Sequence, residues 1–138
     1  RIRGVPMRQK TRPFVPTGIL LLLGVLGTGT LQAAGVSIKG YFTSAFTDVK
    51  YQQTMVQKVI GAWKSPPSLP AAGKKAVVIV QVNREGKVAV QTLHMTSGSK
   101  AFDEAGQDCI RGAAPFEPLP KDFHYPYMEV HFHFEVVK

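Results

Sequence analysis

The chain has 138 residues, of which 44% are hydrophobic, with one cysteine and a formal net charge of +8. One cysteine excludes an internal disulfide. Five of the 17 Lys and Arg residues lie within the first twelve positions, which leaves 12 scattered cations against 9 acids and excludes the basic stripe of a nucleic-acid-binding protein.

The first 34 residues have the pattern of a targeting segment. Basic residues come first, and residues 18–31 then contain no charge. The strongly apolar stretch, about 14 residues, would span about 21 Å as a helix, short of a hydrocarbon core of about 30 Å. We therefore predict a signal peptide cleaved near Ala33 or Ala34, and the alternative is an uncleaved N-terminal membrane segment.

The remaining residues are enough for one domain with a single modest core. We expect residues 35–47 to be a short linker and residues 48–138 to form that domain. A first helix is predicted from about Asp48 to Trp63, because the apolar residues recur at helical spacing, and we expect Trp63 to pack in the core. These apolar residues are Met55, Val56, Val59, Ile60 and Trp63.

A β-hairpin follows. Residues 76–83 and 87–95 are two runs rich in β-branched residues, separated by Arg84, Glu85 and Gly86. A short loop that contains glycine is typical of a chain reversal between strands, because glycine adopts positive φ without steric cost.

A second helix is predicted after the hairpin, with Ser99 as its N-cap and Pro115 at its end. Its apolar residues recur at steps of three and four and mark one face: Phe102, Ala105, Cys109, Ile110 and Ala113. We expect Cys109 to be buried on that face, where a thiol behaves as a small hydrophobic group.

The last strand is predicted from the period-two alternation of residues 128–137. One face carries Phe132 and Phe134, which we expect to be buried beneath the helices. The element order α-β-β-α-β predicts an α+β two-layer sandwich, with a three-stranded antiparallel sheet and two helices on one face.

Several motifs together resemble the C-terminal domain of the TonB and TolA proteins. The resemblance covers roughly residues 50–136, and the segment around Trp63 is similar to the TolA-type variant. The motifs occur in the order of that family: Val80-x-Val82-Asn83-Arg84-x-Gly86-x-Val88, Ser97-Gly98, Phe102-Asp103-x-Ala105 and Ala113-Ala114-Pro115-Phe116-x-Pro118-Leu119-Pro120.

The resemblance implies a periplasmic protein-binding module without a cofactor, associated with transport across the cell envelope. Its partner would be an outer-membrane receptor or another envelope protein, and a segment of that partner would add as a strand to the sheet edge. The resemblance also implies that the last strand lies at or near this edge. We therefore predict that the partner-binding residues are Glu129, His131, His133 and Glu135, on the outward face of the last strand.

The sequence contains no catalytic constellation, so we predict that the protein is not an enzyme. Ser97 and Ser99 lack the flanking pattern of a nucleophile elbow, and helix capping accounts for them. His131 and His133 lie about 6.5 to 7 Å apart along one strand face, so a metal or small-ligand binder is an alternative, although no third ligand stands at a diagnostic spacing. Our prediction is that no metal is bound.

A second alternative is a short energy transducer anchored in the inner membrane and facing the periplasm. TonB and TolA themselves couple a membrane helix to a proton-driven motor. The hydrophobic segment of this chain contains no His or acidic residue that could couple to proton flow. We therefore favour an exported periplasmic domain, with membrane contact only through the N-terminal segment if it is not cleaved.

Overall fold

The computed structural model describes residues 35–138 in full and, before them, the backbone of residues 19–20 and 30–33. The predicted signal peptide or membrane segment otherwise lies outside the described residues. No helix in the described part is long and apolar enough to cross a membrane. In chain order the elements are β1 Ile19–Leu20, β2 Thr30–Ala33, β3 Val36–Phe42, α1 Val49–Gly61, β4 Lys75–Asn83, β5 Val88–Met95, α2 Lys100–Ala113 and β6 Tyr127–Val136.

The strands form one antiparallel sheet in the order β1-β2-β3-β6-β4-β5. Four of these strands lie within residues 36–138, so the domain has one strand more than the three predicted. The α+β class, the antiparallel sheet and the two helices are confirmed.

The additional strand, β3, comes from the segment that we expected to be a linker. Val36 and Ile38 are fully buried on one face of β3, so the segment contributes to the core. At Gly40 the backbone approaches α1 closely, since a Cβ there would lie 3.0 Å from Val56 Cγ2. Residues 36–42 are therefore part of the sheet.

The prediction that the last strand lies at or near an edge is wrong. β6 pairs with β3 along one side, from Val36 opposite Val136 to Phe42 opposite Val130. It pairs with β4 along the other side, from Lys75 opposite Glu135 to Asn83 opposite Tyr127. Both of its edges are thus occupied by the chain itself.

The core lies between one face of the sheet and the two helices. Phe132 and Phe134 of β6 are fully buried there, as predicted. Trp63 stacks on Phe134 with ring centroids 5.7 Å apart, and Cys109 of α2 lies against the Val59 carbonyl of α1. Burial of Cys109 raises the pKa of its thiol to about 12, so the thiol stays protonated and acts as a packing group.

Side-chain caps define where the helices begin. The Asp48 carboxylate accepts a hydrogen bond from the backbone N–H of Tyr51 (2.9 Å). The Ser99 hydroxyl accepts one from the backbone N–H of Phe102, which confirms Ser99 as the predicted N-cap of α2. The buried Asp103 carboxylate accepts from both the backbone N–H (2.9 Å) and the hydroxyl (2.7 Å) of Ser97. It thereby fixes the turn that joins β5 to α2.

The tip of the β4–β5 hairpin is attached to the proline-rich segment after α2. The Phe116 N–H donates to the Gly86 carbonyl (2.8 Å), and the Leu119 N–H donates to the Arg84 carbonyl (3.0 Å). The Arg84 guanidinium donates to the carbonyls of Pro120 (3.1 Å) and Tyr125 (3.0 Å). These contacts explain physically why an Asn-Arg-x-Gly turn and a proline-rich exit occur together in the sequence.

We predict that Gly86→Ala destabilises the domain far more than Gly73→Ala. Both glycines have positive φ, +92° and +93°, so both substitutions introduce the same backbone strain, about 1–2 kcal/mol. A Cβ at Gly86 would lie 2.2 Å from the Phe116 carbonyl oxygen, whereas nothing lies within 4 Å at Gly73. Denaturant unfolding should show a loss of at least about 3 kcal/mol for Gly86→Ala. Equal losses would contradict the attachment of the hairpin tip.

We predict opposite outcomes for neighbouring residues on the two faces of β6. Phe132→Ala should lower the free energy of unfolding by about 3–5 kcal/mol, because it leaves a cavity in the core. His133→Ala should cost less than about 1 kcal/mol, because that side chain is only partly buried on the other face. Denaturant unfolding of both variants measures the difference, and similar losses would contradict the assigned faces.

Candidate functional site

The four predicted partner-binding residues lie together on the sheet face opposite the helices, which we call the open face. Glu129, His131, His133 and Glu135 alternate with the buried residues of β6, so their side chains are on this face. They line the centre of the sheet, however, and are not at its edge. Opposite them on β4 are Gln81, Ile79, Val77 and Lys75, and opposite the last three on β3 are Tyr41, Lys39 and Ser37.

Three side chains at one end of the open face form a hydrogen-bonded row. His131 Nε2 lies 2.8 Å from Glu129 Oε2, and Gln81 Nε2 donates to Glu129 Oε1 at 3.2 Å. Hydrogen bonds from His131 and then from Gln81 lower the pKa of Glu129 below its ordinary value. Because the ionised carboxylate can only accept, His131 carries its proton on Nε2.

His133 has a different environment two residues farther along β6. Its ring contacts that of Tyr41 edge-on, with centroids 4.5 Å apart. Its pKa is lowered first by burial and then by the positive charges of Lys75, His131 and Lys39, while Glu135 acts in the opposite direction. His133 is therefore held in its neutral form more strongly than a free histidine.

The contribution of β3 to this face was not predicted from the sequence. Tyr41 is 42% exposed and, with Phe42, Thr43, Glu129 and His131, lines a shallow cleft. The signal was present, because Val36, Ile38 and Phe42 alternate with Ser37, Lys39 and Tyr41, which is the period-two pattern of a strand.

The arrangement does not provide the ligands of a metal centre. Among the described residues, no group of three or more His, Cys, Asp or Glu side chains could hold a metal ion. The serines singled out from the sequence have structural contacts: Ser97 Oγ donates to Asp103, and Ser99 Oγ caps α2.

A second surface lies at the β5 edge of the sheet. Among the described residues, no strand lies on the outer side of β5. Val90 and Met95 are 45% and 46% exposed there, opposite Gln81 and Val77 and therefore on the open face. The pairing with β4 shifts register twice, which limits the regular part of β5 to residues 90–93.

The family model described as TonB C terminal matches residues 49–134, which is more than half of the chain. The chain belongs to the TonB C-terminal domain family. Domains of this family are interaction modules of the cell envelope that contact outer-membrane proteins, and they are not catalysts. No curated protein and no solved structure matches the chain significantly.

We predict that this TonB-type domain loses stability as the pH falls from 7 to 5, in part through His133. Below about pH 6.5 the unfolded chain binds a proton at this histidine. The folded domain binds that proton less readily, because the pKa of His133 is lowered in the folded state. The contribution of His133 is therefore present at neutral pH and is lost on acidification. Thermal unfolding at several pH values should show a shallower dependence for His133→Gln than for the parent chain.

His124→Gln is the matched control, because His124 is exposed in the loop before β6. Its pH dependence should follow that of the parent chain. The measurements stop at pH 5, because the pKa of Glu129 is also lowered. Below about pH 4.5 the unfolded chain would bind a proton at Glu129 more readily than the folded domain, which would add a second pH-dependent contribution to stability. If His133→Gln and the parent chain had identical profiles, the assigned environment of His133 would be incorrect.

Proposed function

We propose that this chain is a periplasmic protein-binding module of the TonB type, which binds an extended segment of an outer-membrane receptor or another envelope protein by strand addition. The module needs no cofactor, because backbone groups supply the attachment and side chains supply the selectivity. Export by residues 1–34 is part of the proposal. Retention of those residues as an inner-membrane anchor would change the location of the domain but not its binding surface.

The free outer side of β5 is the observation that carries the proposal. Strand addition requires a strand with an unpaired edge, and β6 is paired on both sides. β5 has eight residues, and no strand lies on its outer side among the described residues. The two register shifts leave residues 90–93 as the regular stretch, so the proposal is for a short paired segment flanked by side-chain contacts.

The open face extends this surface away from the edge. Val90 and Met95 supply apolar contacts next to the paired segment. β6 lies two strands from β5, about 10 Å away at the usual strand spacing. We propose that Glu129, His131, His133 and Glu135 contact the body of the partner where it continues across the sheet. In this role they select the partner and do not hold its extended segment.

Site-specific photo-crosslinking tests the proposal in the cells that make the protein. A photoreactive residue at Thr92, which is exposed in the regular part of β5, should give an adduct with a cell-envelope protein. The same residue at Val49 should give none, although Val49 is 48% exposed, because it lies at the start of α1 and away from β5.

Two substitutions refine this test. Val90→Lys should reduce the Thr92 adduct, because a charge would occupy the apolar contact surface, whereas Val49→Lys should leave the yield unchanged. These two valines have almost the same exposure, 45% and 48%. No adduct from Thr92, or equal adducts from Thr92 and Val49, would be evidence against binding at β5.

A further inference from the structure

We propose that a groove beside the start of β5 binds acidic side chains of the partner segment. Along that segment, carboxylate side chains on one face would then alternate with apolar side chains on the other face. The inference rests on the proposed function, because it assumes that the segment lies along β5. It adds the chemical character of the partner, which the family membership does not specify.

The groove lies between the beginning of β5 and the C-terminal end of α2. It has a volume of about 540 Å³ and opens to solvent. Its lining consists of Lys87, Val88, Ala89, Gln91, Arg111, Ala114 and Pro115. Gln91 Nε2 donates to the Gln107 carbonyl of α2 at 3.1 Å, so this side of β5 faces the helix. The groove is therefore on the helix side of the sheet, next to the free edge.

The geometry of a strand gives the two faces of the partner segment different surroundings. Successive side chains of a strand added to β5 would point alternately toward the helix side and toward the open face. Those on the helix side would lie over the groove. Those on the other side would lie next to Val90 and Met95, which are exposed and apolar.

The charge of the groove favours carboxylates. Its charged lining residues are Lys87 and Arg111, and no acidic residue lines it. Lys87 forms no ion pair with the described residues. Arg111 Nη1 contacts Asp108 at 2.6 Å, but a guanidinium has five N–H groups and can bind a second carboxylate. Both cations are exposed, so the carboxylates of a partner can reach them without deep burial.

Two synthetic peptides test this inference with the full-length chain. In one peptide valine alternates with glutamate, and in the other valine alternates with lysine. Fluorescence anisotropy at low ionic strength should show that the valine–glutamate peptide binds about threefold to tenfold more tightly, as expected for two exposed ion pairs. Lys87→Glu combined with Arg111→Glu should abolish or reverse this preference.

The combination of Lys64→Glu and Lys121→Glu is the matched control. It changes the net charge by the same amount at exposed positions that do not line the groove. This control should keep the preference for glutamate, apart from a uniform weakening. If the control lost the preference as fully as the groove variant, the attraction would come from the overall charge and the inference would be overturned.

Other outcomes separate the inference from the proposed function. Equal binding of both peptides, reduced for both by Val90→Lys, would overturn the preference for carboxylates and leave strand addition at β5 intact. Failure of both peptides to bind would overturn the inference. The Thr92 adduct would then decide independently whether β5 is the binding edge.

Discussion

The pairing of β6 with a strand on each side constrains both the core of this domain and the sheet edges at which a partner strand could add. β6 carries the buried phenylalanines that support both helices, and it cannot be displaced without removing the core. Because β3 and β4 occupy its edges, its backbone groups are already hydrogen-bonded within the chain. A partner strand therefore needs another edge. In the proposed function β5 supplies that edge. The residues of β6 that point away from the helices then lie on the neighbouring sheet face and not at the paired edge.

The attachment of the hairpin tip to the exit from α2 holds this arrangement in place. Arg84 and Gly86 use main-chain and guanidinium groups to fix the proline-rich segment, which then leads the chain into β6. The Asn83 carboxamide accepts hydrogen bonds from the N–H groups of Glu85 (3.0 Å) and Lys87 (2.9 Å), so the tip itself is ordered. Lys87 follows this tip directly in the chain and lines the same groove as Arg111 of α2. The motif that stabilises the fold thus also fixes the backbone at Lys87, one of the two cations of the groove.

The open face combines apolar and titratable groups. Glu129 and His131 form a hydrogen bond with each other. Burial and nearby positive charge lower the pKa of His133 and so favour its neutral form. In the described part of the chain, no group of three or more His, Cys, Asp or Glu side chains could hold a metal ion. With Tyr41 the two histidines form a band across the sheet. In the proposed function, this band distinguishes partners by their charge.

The sequence by itself determined the two helices and the Ser99 cap, the hairpin, the buried face of β6 and the family, because each follows from local periodicity or from a contiguous motif. It did not determine that residues 36–42 join the sheet, although their alternation was visible, because a short alternating run becomes a strand only where a neighbour can pair with it. Strand order was likewise decided by the tertiary structure. Alternation shows which side chains share a face, but which strands are neighbours depends on pairing between distant segments. For that physical reason β5 ends the sheet on one side among the described residues, and Lys87 and Arg111, far apart in sequence, line one groove.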